Sequence, residues 1–248
     1  MNIKLLIEYE GTRYYGWQKQ KGLPSIQEVL EKKISQITSE RIILYGSGRT
    51  DAGVHALGQV ANFHTRHSTI SITKMPRVLN SLLPSDIRIK KAEEVEERFH
   101  ARYDAISKVY HYYILENPQG NIHVPIFLRN YVYIIYRKTD IDRIKEAASF
   151  LLGEHDFTSF ASTNNSKQNP IRIIKELLVF KKGNIICFHL EANSFLYKMV
   201  RNIVGTLLEV GYGKLEPNDV ERILQTKDRR LAGKTVSAKG LFLMQVNY

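Results

Sequence analysis

The stretch LYGSGRTDAGVHALGQV, Leu44 to Val60, places four glycines, one arginine and one aspartate between two runs rich in strand-forming residues. Gly46-Ser47-Gly48 invites a phosphate-binding loop. A P-loop, however, ends in Gly-Lys-Ser/Thr, and a dinucleotide fingerprint needs a third glycine and a following helix. Asp51 stands where that third glycine would fall, and the chain runs on into another strand, Gln59 to Thr65. The reading turns away from a nucleotide-cofactor fold, and the elements on either side decide what replaces it.

Before the stretch, the pattern predicts a strand from Ile3 to Glu10, an amphipathic helix from Ser25 to about Ile37, and a strand from Arg41 to Tyr45. Ile26, Val29, Leu30, Ile34 and Ile37 recur at helical spacing, with Ser25 as cap and Glu28 completing a capping box. After it come a helix near Lys74 to Leu83 and a strand Ile87 to Val95. The second half repeats the mixture: strands Val109 to Leu115 and Tyr131 to Tyr136, a helix Asp142 to Leu152, and a hairpin of IRIIKELLVF and NIICFHLEA around KKGN. A helix Phe195 to Val210, a short helix from Asn218 to about Leu224 and a last strand, LFLMQVNY, follow. The expectation is an α+β chain with domains 1–102 and 103–248, each an antiparallel sheet backed by helices, meeting edge to edge with a cleft between them.

At 248 residues, with 43% hydrophobic content and seven prolines, the chain can bury a real core. No apolar run approaches the roughly 20 residues that span a bilayer, and Glu8 and Glu10 stand where a secretory leader is apolar. A cytoplasmic protein that does not enter membranes is expected. The single Cys187 excludes an internal disulfide and a multi-cysteine metal site, and its context NIICFHL reads as a buried strand. A net charge of +11 attracts polyanions, above all nucleic acid, or an acidic membrane surface.

On spacing alone Asp51 reads equally as a turn aspartate bonding its own backbone and as a carboxylate offered to a ligand. Arg49 favours the second, because a guanidinium fork two residues away suits a nucleic-acid backbone. Glycines 46, 48, 53 and 58 would let a bulky ligand approach. Asp51 and His55 are too few ligands for a metal, and His64, His67, His100 and His111 show no ligand spacing with carboxylates, so no metal is expected. No G-x-S-x-G elbow occurs, which removes a serine hydrolase. There remains a lone carboxylate working on an extruded base or sugar.

GSGRTDAGVHALGQV resembles the catalytic signature of the TruA family of tRNA pseudouridine synthases. The likeness continues in the family's order through YEGTRYYGWQKQ, FHARYDAISKVYHYYI, LLGEHDFTSFA and NSFLYKMVRNIVGTLLEVG. The resemblance implies two ferredoxin-like halves flanking a basic cleft, a homodimer, and isomerisation of uridine to pseudouridine at positions 38, 39 and 40 in the anticodon stem-loop of tRNA. It implies that Asp51 is the catalytic nucleophile or base and that Arg49 helps extrude the uridine and brace its place. Tyr110 would lie against the flipped uracil, a contact worth about 1–3 kcal/mol. Arg201, on the flank of a helical stripe of Leu196, Val200, Ile203 and Leu207, would pair with the catalytic aspartate and hold it ionised. No cofactor is implied, because no hydride, phosphate or water is exchanged. One carboxylate suffices where uracil leaves as an anion stabilised by its own ring.

Tyr110 and Tyr112 fall on one face of their strand by alternation, so the choice of Tyr110 rests on the family's pattern. The basic segment KDRRLAGKTVSAKG, Lys227 to Gly240, would contact phosphate but departs from the family's A-P-A-x-G-L ending and takes no named role. Two other classes compete. A non-catalytic RNA-binding α+β protein would share the charge and strand aromatics but would gain nothing from a carboxylate facing phosphates. An RNA methyltransferase with a cysteine nucleophile is disfavoured by the setting of Cys187 and by the lack of a cofactor-binding glycine loop.

Overall fold

Ser25 ends an extended segment, and its Oγ accepts the Glu28 backbone N–H at 3.4 Å, so a helix starts where the capping pattern predicts. The computed structural model describes residues 1–66, 70–162 and 169–248; His67 lies outside the described residues. The chain is α+β and forms two units, Met1–Ile106 with Phe242–Tyr248, and Ser107–Leu241.

The first unit contains β1 (Asn2–Tyr9), α1 (Ile26–Thr38), β2 (Tyr45–Gly46), β3 (His55–His64), α2 (Met75–Leu82) and β4 (Ile87–Val95). Antiparallel pairing puts β1 between β4 and β3, with Leu5 opposite both Ala92 and Ala61. Ile3, Leu5 and Ile7 alternate inward from β1 and are fully buried. Ile26, Leu30 and Ile34 of α1 are fully buried too, each contributing about 1.5–3 kcal/mol. The strand expected over Arg41 to Tyr45 shrinks to Tyr45–Gly46, because α1 side chains take the backbone groups. Glu31 Oε1 accepts Leu44 N–H at 3.1 Å, Gln27 Nε2 donates to Leu44 O at 3.0 Å, and Ser35 Oγ accepts Ile42 N–H at 3.1 Å.

The second unit contains β5 (Ser107–Glu116), β6 (Tyr133–Ile135), α3 (Ile141–Ser149), β7 (Gly153–Asp156), β8 (Ile171–Lys182), β9 (Ile185–Ala192), α4 (Met199–Gly211) and α5 (Asp219–Thr226). Its strands lie in the order β6-β5-β9-β8-β7, antiparallel except for the β5–β6 pair. The predicted hairpin turns at Gly183, with φ +57°. Strand β7 was outside the sequence expectation. Helix α4 begins at Met199 rather than Phe195, because Lys198 adopts φ +61° and cannot continue a helix. It is buried nearly all round, with Arg201 and Glu209 half-buried, and not along a single stripe. The last strand, β10 (Leu241–Asn247), returns to the first unit and pairs in parallel with β3, Phe242 opposite His55.

Candidate active site

The loop between β2 and β3 carries Arg49 and Asp51, and the structure shows what fixes it. Ser47 N–H donates to Val60 O at 2.8 Å, and the fully buried Ser47 Oγ donates to Gln59 Oε1 at 2.7 Å. Gln59, also fully buried, donates from Nε2 to Gly48 O at 3.0 Å. The Thr50 hydroxyl shares a 2.8 Å hydrogen bond with Tyr9 Oη. Burial pushes the Tyr9 phenol up to about 12, against the opposing pull of Thr50 and Gln59, so it remains a neutral hydrogen-bonding group at neutral pH.

Residues 11–18 lie against this loop. Trp17 N–H donates to Thr50 O at 3.1 Å, Gly53 N–H to Tyr14 O at 3.3 Å, and Gly11 N–H to His55 Nδ1 at 3.1 Å. Gly16 sits at φ +85°, and a Cβ there would collide with the Thr50 carbonyl. Two glycines expected to admit a ligand have a different use. A Cβ at Gly46 would lie 2.5 Å from the Trp17 ring, and one at Gly58 would strike the Met244 carbonyl. Both permit close packing inside the first unit.

Asp51 is half-buried, and its carbonyl accepts Val54 N–H at 3.1 Å across a turn in which Gly53 has φ +77°. Arg49 is exposed, and its Nε donates to Gln18 Oε1 at 3.0 Å. Gln18 in turn donates to Gln27 Oε1 at 2.8 Å, which ties the arginine to α1. A carboxylate and a guanidinium therefore stand two residues apart on a loop whose flanking backbone is held by buried side chains. Such an arrangement can present a base or nucleophile beside a phosphate-binding group. Sequence reasoning missed the part that Tyr9, Ser47 and Gln59 play in holding the loop, which no spacing rule announces.

Tyr110 and Arg201 belong to the second unit. Tyr110 sits on β5 opposite Leu190, is 7% exposed, and meets the Phe195 ring edge-on at 5.1 Å. Tyr112 shares its face and is fully buried, with its Oη donating to Ser237 O at 2.7 Å. Arg201 is half-buried on α4, and its Nε donates to Val236 O at 2.8 Å. The basic segment is anchored on the same helix. Arg229 Nη2 and Thr235 Oγ1 donate to Asn202 Oδ1 at 3.0 and 2.6 Å, and Gly233 N–H donates to Thr206 Oγ1 at 2.9 Å. Arg229 thus faces α4, while Arg230 pairs with Asp228 at 2.7 Å on the surface.

Cys187 is half-buried on β9 rather than in the core. Burial pushes its thiol up to about 11, with a partial opposing effect from Tyr113, which leaves it a poor nucleophile at neutral pH. Among the described residues no helix is long and apolar enough to cross a membrane, and no group of three His, Cys, Asp or Glu could hold a metal ion.

A family model described as tRNA pseudouridine synthase matches residues 5–104 and 147–248, a range that includes the Asp51 loop and α4 and leaves out β5, β6 and most of α3. The chain is 46% identical over 247 residues to tRNA pseudouridine synthase A of Thermoanaerobacter sp. (strain X514), covering 100% of this chain and 99% of the relative. It is 47% identical, with the same coverage, to tRNA pseudouridine synthase A of Clostridium kluyveri. Among solved structures, a Cbf5-Nop10-Gar1 complex aligns with 97% of this chain and 48% of that chain at TM-score 0.41 and 12% identity, so this chain spans about half its length. The match across both units and the full-length identities place the chain in the tRNA pseudouridine synthase family.

Proposed function

We propose that this protein isomerises uridine to pseudouridine at positions 38, 39 and 40 in the anticodon stem-loop of tRNAs, with Asp51 as its catalytic residue. The carrying observation is the Asp51 loop itself: a half-buried carboxylate on a backbone pinned by buried side chains, inside the region that matches the family. In the reaction the N1–C1′ bond breaks, the uracil turns, and C5 joins C1′. C5 gives up its proton and N1 ends with one, so nothing is consumed and no cofactor enters. Asp51 supplies the carboxylate that acts on the base or sugar; Arg49, Tyr110 and Arg201 bind the substrate. Residues 1–102 carry the catalytic loop and residues 103–248 carry Tyr110 and Arg201.

The target base must leave its stack, which costs a few kcal/mol in a duplex and less near a loop. The net charge of +11 supports a phosphate-rich partner. The protein acts in the cytoplasm, as a homodimer, on this reading. The test is incubation with unmodified tRNA transcripts carrying uridine at 38, 39 or 40, with pseudouridine mapped by chemical labelling. Modification confined to those positions is expected. Binding without any pseudouridine would overturn the activity and favour a non-catalytic RNA-binding protein.

A further inference from the structure

Three rings on the first unit form a stepped array. The Tyr45 and His100 rings lie 5.1 Å apart, and the His100 and Tyr103 rings 4.4 Å apart, tilted by 48° and 36°. The Arg102 guanidinium lies 5.7 Å from the Tyr103 ring centre. Tyr103 is 75% exposed and Tyr45 39% exposed, so the array contributes little to a core.

The backbone beneath these rings is held firmly. Buried Asn2 donates from Nδ2 to Glu96 O at 3.0 Å and Phe99 O at 2.8 Å, and buried Asn62 accepts Ala101 N–H at 2.9 Å. Tyr248 Oη donates to Ala101 O at 2.8 Å, and Ala101 is fully buried. His100 Nδ1 accepts Arg102 N–H at 3.1 Å, which fixes the imidazole orientation. Local carboxylates are engaged: Glu96 by Arg98 at 2.8 Å, Glu97 by His64 at 3.0 Å, and Asp104 by the His100 N–H at 2.8 Å. A rigid turn therefore holds aromatic faces in water with its charges nearly balanced. Ordering such rings returns little burial within the chain, so their use lies in what they meet.

We infer that Tyr45, His100 and Tyr103 form a stacking platform for an unpaired nucleobase of the RNA substrate, with Arg102 beside the adjoining phosphate. Flat rings with a guanidinium over the outermost of them match a base attached to a phosphate, and stacking tolerates any base because every base has a π-face. Tyr45, one ring of the three, also stands just before the loop that carries Asp51. The inference rests on the proposed RNA substrate but not on the reaction.

The test titrates wild type, Tyr103→Ala, Tyr103→Phe and Arg102→Ala with an unmodified tRNA transcript at several salt concentrations, and reads pseudouridine formation at saturating tRNA. Tyr103→Ala should weaken binding about tenfold, with the slope of log affinity against log salt unchanged, because stacking releases no counterions. Tyr103→Phe should stay within about twofold of wild type, since the ring remains. Arg102→Ala should lower the salt slope by about one. Affinity of Tyr103→Ala within about twofold of wild type would overturn the platform. So would intact affinity with an altered sedimentation coefficient, which assigns the rings to contact between copies of the chain. If wild type binds tRNA without isomerising it, the activity reading falls, while a tenfold loss in Tyr103→Ala still supports the platform.

Discussion

Replacing Gln59 with leucine keeps nearly the same volume and removes the side chain that fixes the loop before Asp51. Four groups lose a bond to Gln59: the Ser47 hydroxyl, fully buried at 2.7 Å from Oε1, the Val60 N–H at 3.1 Å from Oε1, the Gly48 carbonyl, half-buried at 3.0 Å from Nε2, and the Tyr9 hydroxyl at 3.5 Å from Nε2, which keeps its bond to Thr50. A buried hydroxyl left without a partner costs about 1–3 kcal/mol, and a carbonyl that can turn to water about 0.5–1.5 kcal/mol. The first unit should therefore lose about 2 kcal/mol or more of stability. Trp17, the only tryptophan, packs on Gly46 beside the loop and gives urea unfolding a fluorescence signal there. The double variant Ser47→Ala/Gln59→Leu should recover about 1 kcal/mol, because the orphaned hydroxyl is gone. Activity at saturating tRNA should fall by about tenfold or more while the affinity changes little, since a displaced carboxylate harms the reaction more than binding. A Gln59→Leu protein within about 0.5 kcal/mol of wild type, or a double variant less stable than the single, would refute this account of the loop.

Gly46→Ala should destabilise the first unit by about 1–3 kcal/mol, seen as a lower urea midpoint, because its Cβ would lie 2.5 Å from the Trp17 ring. Burial pushes the Glu116 carboxyl up, but hydrogen bonds from Lys181 at 2.6 Å and from the Thr139 hydroxyl and N–H at 2.6 and 2.8 Å prevail and hold it below its ordinary value. Its folded pKa is therefore the lower one, so the stabilisation is complete above the unfolded value of about 4.3 and is lost as pH falls through the folded value. Unfolding of Glu116→Gln should start at lower urea than wild type at pH 7, and the two should converge at acid pH. Burial and then the neighbouring His189 hold His111 below its usual value. Its depressed folded pKa gives stability that is full above about 6.5 and falls as pH drops through the folded value, a fall that His111→Gln should lessen in urea titrations at pH 7 and 5.

Local patterns revealed much of the secondary structure. The spacing of Ile26, Leu30 and Ile34 and the Ser25 cap locate α1, and alternation puts Tyr110 and Tyr112 on one face of β5. Non-local bonds were invisible. The backbone of 42–44 turns to Ser35, Gln27 and Glu31 of α1 instead of extending β2, and β10 crosses the length of the chain to pair with β3. Lys198 at φ +61° delays α4, since nothing in a lysine announces a left-handed conformation. At the candidate site, Arg49 and Asp51 are legible because they share one glycine-rich stretch. Tyr9, Ser47 and Gln59 are not, because their roles come from strands β1 and β3 lying side by side. The glycines misled in part: Gly46 and Gly58 look like openings for a ligand, yet each is small because a ring or a carbonyl occupies the space.

The most direct measurement compares wild type with Asp51→Asn on an unmodified tRNA transcript carrying uridine at position 39, following pseudouridine formation and tRNA affinity together. The account predicts that the product disappears while affinity remains close to that of wild type, because the amide keeps the shape of the carboxylate and removes its charge and basicity. Pseudouridine formed by Asp51→Asn at a rate near wild type would contradict the assignment of the chemistry to Asp51.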